Sequence, residues 1–205
     1  YQFLRIENEA DTNESQKSDN YRIGLKDHKA GKASTHRMEM KLLDANENVV
    51  VRSEKQTEYT ENFFNVASAP EGITVVRSFE RIVLEEVYPG IDWIVYSNDK
   101  GIKYDFNVKP GANPALIKMD YAFADGIKLN RDGSLTISCS LGEVTEDAPV
   151  CFQGGKEVKG EFVLKGNVVS VEMEGYDATK ELVIDPSVVW STYYGGNSDD
   201  RILDI

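Results

Sequence analysis

The stretch that most restricts what this chain can become is 87–114, VYPGIDWIVYSNDKGIKYDFNVKPGANP. Tyr88-Pro89-Gly90 opens it and Lys109-Pro110-Gly111 closes it, each placing a residue of fixed φ before one that tolerates positive φ, which is turn chemistry. Between the turns Ile91, Trp93 and Val95 alternate with Asp92, Ile94 and Tyr96, and Ile102, Tyr104, Phe106 and Val108 alternate with Lys103, Asp105 and Asn107. A period of two marks a pair of strands, each with one apolar face. With Asn98-Asp99-Lys100-Gly101 as the loop and Ser97 paired with Ile102, Val95 falls opposite Tyr104, Trp93 opposite Phe106 and Ile91 opposite Val108. That register gathers the aromatic and apolar residues on one side, and a slip of one residue scatters them.

The rest of the chain repeats the pattern. If Arg131-Asp132-Gly133 is a three-residue loop with Gly133 left-handed, Ile127 and Leu129 face Ile137 and Leu135; Gly166-Asn167 as a two-residue turn sets Leu164 opposite Val169 and Phe162 opposite Val171. Met38, Met40 and Leu42 alternate with charged residues before a turn at 44–48, and 73–77, 81–87 and 116–119 read as further strands. No amphipathic helix is legible. The expectation is an all-β, antiparallel, β-sandwich-like protein built from successive hairpins, either as one sandwich or as two stacked β-units with a seam in 53–86. Asp185-Pro186 punctuates the end of a module at 1–186, with 187–205 beyond it.

Charge narrows the function classes. A net charge of −12 with no basic cluster argues against nucleic acid as a partner. No apolar run reaches membrane-spanning length, so membrane insertion is not expected. Two cysteines, Cys139 and Cys151, are too few for a disulfide scaffold. If Leu141-Gly142 turns a hairpin, Cys139 sits opposite Val144 and Cys151 lies beyond bridging distance, so both are expected as free thiols.

Catalytic constellations are not visible. The sequence has no Gly-x-Ser-x-Gly, His-Glu-x-x-His, phosphate loop or Cys-x-x-Cys. Its histidines are His28 and His36, and His36 is read as a strand-edge or core hydrogen-bonder. The best carboxylate pair is Asp92 with Asp105, diagonal across the hairpin on one face, as a glycoside hydrolase would need; strand-end hydrogen bonding or solvation is the plainer account. Asp44, Asn46 and Asn48 echo a calcium loop but lack its glycine and closing glutamate, so a hairpin turn is expected there. Weak calcium binding by surface carboxylates is the only cofactor reading left. Tyr96, on the face opposite Trp93, is the candidate ligand-surface aromatic.

Several of these segments also carry a likeness. Tyr88, Pro89, Gly90, Asp92 and Trp93, then Tyr104, Asp105 and Phe106, then Pro110 and Gly111, resemble the "YPGID…YDF…PGA-P" signature of a bacterial exported domain that stands before SBBP β-propeller repeats. The likeness continues through LVIDP, ending at Asp185 and Pro186, into the STYYGG of 191–196, which is similar to the opening of a repeat. The resemblance implies a secreted or cell-surface setting with a repeat array following; with the hairpin pattern and the absent catalytic constellation, the expectation is a non-catalytic structural and interaction module that mounts the array and contributes to adhesion. Its implied partners are the following repeats of the same chain, and a surface glycan or protein. A carbohydrate-binding module is the alternative, and a glycoside hydrolase-like enzyme the third reading.

Overall fold

The computed structural model describes residues 2–7, 32–64, 67–98, 101–186 and 188–189. Tyr21, Ile23 and Leu25, whose alternation in the sequence reads as a strand, lie outside the described residues, as do His28, the loop residues Asp99 and Lys100, and the tail from Trp190 onward.

Strands account for nearly all the regular structure. In chain order they are β1 (Gln2–Glu7), β2 (Lys32–Arg37), β3 (Glu39–Leu42), β4 (Val50–Phe63), β5 (Ile73–Tyr88), β6 (Ile91–Asn98), β7 (Gly101–Val108), β8 (Lys118–Ala122) and β9 (Gly126–Leu129). They continue with β10 (Leu135–Cys139), β11 (Gly142–Glu146), β12 (Val150–Gln153), β13 (Lys156–Val158), β14 (Gly160–Lys165), β15 (Val168–Met173), β16 (Leu182–Asp185) and β17 (Val188–Val189). Among the described residues the helical element is a single 3-10 turn at Pro114–Leu116, so Leu116, expected at the head of a strand, sits in that turn and the strand begins at Lys118.

A seven-stranded antiparallel sheet runs β13-β12-β16-β7-β6-β5-β4, and two four-stranded sheets, β14-β15-β8-β3 and β17-β11-β10-β9, lie over it; β1 and β2 form a two-stranded sheet of their own. The fold is an all-β, sandwich-like stack of antiparallel hairpins. One apolar core joins the layers, drawing Ile91, Tyr104, Phe106, Val108, Leu182 and Ile184 from the large sheet, Met119, Tyr121, Phe162, Val169 and Val171 from one small sheet, and Leu135, Ile137 and Val144 from the other. Strands in such a sheet bury alternate residues, and these are the alternate residues that the sequence makes large.

The β6–β7 hairpin has the register its alternation demands, with Ser97 opposite Ile102, Val95 opposite Tyr104, Trp93 opposite Phe106 and Ile91 opposite Val108. Trp93 stacks on Phe106 at 6.2 Å between ring centroids, and Tyr104 meets both rings edge-on. The two other hairpins also pair as their turns dictate. Leu129 faces Leu135 and Ile127 faces Ile137 across a loop closed by Asn130 and Ser134, with Gly133 at φ +86°, and Phe162 faces Val171 across Gly166-Asn167.

Three local expectations give way. The segment 44–48 is not a hairpin turn, because β3 pairs with β8 while β4 pairs with β5; it is a corner that carries the chain from one sheet to another. An Asx turn, in which the Asn48 N–H donates to Asn46 Oδ1 at 2.9 Å, and a bond from the Asn46 N–H to the Val87 carbonyl hold that corner. Cys139 pairs with Gly142 rather than Val144, since the turn is Ser140-Leu141. The separate strands expected at 73–77 and 81–87 are one strand, β5, which with β4 belongs to the same sheet as β6 and β7, so the seam expected in 53–86 falls inside that sheet's outer pair.

Candidate functional site

The face of the large sheet opposite the aromatic core carries a lattice of charge, and strand register sets its rows. Arg52, Val83, Ile94 and Asp105 lie in one line across β4, β5, β6 and β7, and Glu54, Arg81, Tyr96 and Lys103 lie in the next. Asp185 stands one residue beyond the Ile184–Phe106 pair and so beside Asp105. Ion pairs tie the rows together: Arg52 to Glu85 at 2.8 Å and to Glu54, Arg81 to Glu54 at 3.4 Å, and Lys103 to Asp185 at 3.3 Å. The Tyr96 hydroxyl donates to Asp105 Oδ1 at 3.1 Å. Beneath the charges Val83 and Ile94 are buried at 2% and 7% exposure.

A carboxylate beside a like charge in a partly dehydrated setting holds its proton more tightly. The Asp105 carboxyl is pushed up to about 6, first by burial and then by the negative charge of Asp185, against the pull of Tyr96, Lys103 and Arg81. Burial, then the charges of Asp105 and Asp185, push the Tyr96 phenol upward as well. Here neighbouring groups on a single sheet face push a carboxyl and a phenol upward together, which is the physical signature of a candidate site.

Asp92 has a separate task. Its Oδ1 accepts the Glu86 N–H at 2.8 Å and the Lys109 ammonium at 3.1 Å. Glu86 has φ +54°, and the β5–β6 register shifts between Leu84 and Tyr88, so Asp92 fastens a bulge in β5. The sequence pairing of Asp92 with Asp105 is therefore not the working pair. Each has its own partners, and the carboxylate that acts on Asp105 is Asp185.

A third group lies in the core. Glu146 has no exposed surface, and it accepts hydrogen bonds from the hydroxyls of Tyr104 and Tyr121, each at 2.8 Å. A carboxylate survives such burial only when its oxygens are satisfied. It was legible in outline: in GEVTE, alternation puts Glu146 on the same face as the buried Val144.

A family model described as a domain of unknown function, DUF7948, matches residues 1–187, from β1 through β16. The chain belongs to that family. No curated protein and no solved structure matches it.

In this DUF7948 domain the sequence-selected residues fall into distinct places. Tyr88 is buried and its hydroxyl donates to the Leu43 carbonyl at 2.7 Å, tying the hairpin entry to the 44–48 corner. Pro89 is exposed on the turn, and Gly90, at φ +73°, lies so near Ala112 that a Cβ there would stand 2.9 Å from the alanine methyl. Pro110 is exposed, while the Gly111 N–H donates to the Ala178 carbonyl. Trp93, Tyr104 and Phe106 form the aromatic row of the core, Asp105, Asp185 and Tyr96 meet on the charged face, and Pro186 is buried. Tyr96 is half-buried and engaged with Asp105 rather than displayed.

His36 bridges loops. Its Nε2 donates to the Phe123 carbonyl at 2.7 Å, and its Nδ1 accepts from the Ser140 hydroxyl at 3.3 Å. Cys139 and Cys151 are free, and burial pushes the Cys151 thiol up to about 11, away from nucleophilic use. No group of three or more His, Cys, Asp or Glu among the described residues is arranged to hold a metal ion.

Proposed function

We propose that this domain is a non-catalytic structural and interaction module of an exported or cell-surface protein, mounting the segment that follows it, with SBBP-type repeats as that segment and adhesion as its setting. The observation that carries the reading is the path of the chain past its last long strand. After Asp185 and the buried Pro186, Val188 and Val189 add as β17 to the edge of β11, opposite Glu146 and Thr145. The exit is thus sewn into a sheet at the position of the fully buried carboxylate. An antiparallel ladder resists displacement better than a free linker, which suits a mount.

Two truncations test this. A chain ending at Tyr194 keeps β17 and should melt within about 1–2 °C of the 205-residue protein, whereas one ending at Pro186 loses it and should melt about 3–8 °C lower, given roughly 2–4 °C per kcal/mol in a domain of this size. Equal melting temperatures for the full chain and the Pro186 truncation would remove the anchoring role.

A second reading, a carbohydrate-binding module, is favoured by Tyr59 in β4 and Phe64 just past its end, which stand 59% and 67% exposed. Aromatic faces displayed on a sheet can stack on sugar rings. A glycan panel probed with and without calcium tests it, and binding that is abolished by joint Y59A and F64A substitution would support it over a purely mounting role.

A further inference from the structure

Three distant parts of the chain meet at His36. The residue lies near the end of β2, and its ring stands between the turn after β8 and the turn that joins β10 to β11. Nε2 is 2.7 Å from the Phe123 carbonyl and Nδ1 is 3.3 Å from the Ser140 hydroxyl, contacts that span 87 and 104 residues of sequence. A carbonyl oxygen can only accept, so in the neutral imidazole the proton sits on Nε2 and the lone pair on Nδ1. The Ser140 hydroxyl is then the donor to Nδ1. That is the relation of a nucleophile to its general base, with the Phe123 carbonyl as the group that orients the base.

The backbone is strained at the orienting end. Phe123 has φ +63°, which a residue of this bulk adopts at a cost, and such strain gathers where a fold holds a group in place for use. Burial of the ring is not what the strain secures, since the side chain is 65% exposed with Lys41 Nζ 5.7 Å from the ring centroid. The carbonyl, by contrast, is engaged by His36. At the other end Ser140 is exposed and opens a two-residue turn, because Cys139 pairs with Gly142. A turn of that length leaves the N–H groups of its two central residues, Ser140 and Leu141, outside the ladder, beside any oxygen that gains negative charge on a group attached to Ser140.

We propose that Ser140 is an activated nucleophile, with His36 as its general base, that accepts an acyl group from an activated carboxylic ester. The Oγ–H proton passes to His36 Nδ1 as Oγ bonds to the ester carbonyl carbon. The bond from that carbon to the alcohol or phenol oxygen then breaks, and the leaving oxygen takes the proton from Nδ1, so the products are acyl-Ser140 and a free alcohol or phenol. A neutral carbonyl orients the ring without the negative charge by which a carboxylate steadies the imidazolium, so the arrangement suits a single transfer per chain and not fast turnover. The domain thereby gains a covalent point of attachment, which uses none of the residues of the mount and stands or falls apart from it.

The test exposes the folded 205-residue chain to a fluorophosphonate, which reacts with serines that have a working base, and maps the labelled peptide by mass spectrometry. Ser140 should take up one label, and p-nitrophenyl acetate should acetylate the same residue. H36Q, checked by circular dichroism and a melting curve, keeps a polar side chain but no base and should label about a hundredfold more slowly. Wild-type labelling should fall in acid as Nδ1 gains a proton and ceases to accept, and H36Q should lack that dependence. Folded protein labelled at Ser140 no faster than the urea-unfolded chain overturns the proposal. So does H36Q labelled at the wild-type rate, or a label that settles elsewhere and leaves Ser140 unmodified.

Discussion

Replacing Asp105 by asparagine should make the protein more stable at neutral pH and leave it unchanged in acid. The folded state holds the Asp105 proton to about pH 6, whereas the ordinary carboxyl value is 3.8. Between those values the native chain binds a proton that the unfolded chain has released, so stability falls as pH rises through that window. The stabilising contribution of the protonated form is complete below the unfolded value and gone above about 6. At about 1.4 kcal/mol per pH unit the displacement has a ceiling of about 3 kcal/mol, and screening by solvent at this half-buried position reduces it to about 1–2 kcal/mol. Asparagine removes the charge but keeps an oxygen for the Tyr96 hydroxyl. Urea unfolding of the wild type and D105N should therefore show D105N ahead by about 1–2 kcal/mol at pH 7.5, with the gap closing by pH 4. A gap of constant size across that range, or a D105N protein weaker at pH 7.5, would refute the account of burial and Asp185 as the cause.

The other substitutions probe the remaining polar anchors. Asp92→Ala strands the Glu86 N–H at the β5 bulge and frees Lys109, and should cost about 2–4 kcal/mol in urea unfolding, while Asp92→Asn, which retains an acceptor, should cost less than half of that. Equal losses for the two would show that the bulge does not depend on that bond. Glu146→Ala removes the acceptor shared by two buried tyrosine hydroxyls and should cost about 2–6 kcal/mol by the same measurement; a loss under about 1 kcal/mol would mean that the hydroxyls find other acceptors at little cost. In thiol titration without reductant, unfolded protein should give both thiols and native protein should leave Cys151 unreacted; loss of both thiols on unfolding would reveal a bridge between them.

What could be read from the sequence was whatever depends on period and turn length. The β6–β7 register follows from two alternating strands, because only one pairing places Trp93, Tyr104 and Phe106 together; the ladder runs on to Asn98 and Gly101, which in sequence read as loop. The hairpins at Gly133 and Gly166 follow for the same reason. Sheet membership does not. Residues 44–48 have hairpin chemistry, but whether a turn folds a strand back or sends it to another sheet depends on the partners waiting there, here β8 for β3 and β5 for β4. The charged face was hidden for a related reason. Asp105 and Asp185 are eighty residues apart in the chain, and nothing local shows that β16 will lie beside β7.

The residues of the likeness acquire a physical meaning once they are placed. Tyr88 reaches the corner at Leu43, Gly90 lets the hairpin entry approach Ala112, and Asp92 binds both the bulge at Glu86 and the ammonium of Lys109 at the far end of the hairpin. Trp93, Tyr104 and Phe106 fill the core between the sheets, and Leu182, Ile184 and Pro186 bury the strand that leads out. Tyr88 and Asp92 sit at joints where the chain changes strand or sheet, engaged by backbone or ionic partners, whereas Asp105 and Asp185 meet on the charged face. Substitution at such a joint acts first on register and stability, so loss of binding in a Tyr88 or Asp92 variant is informative only beside an unfolding curve. Tyr59 in β4, Phe63 at its end and Phe64 just beyond it are exposed at 59%, 46% and 67%, and it is there that a contact with another molecule can be altered with little disturbance of the core.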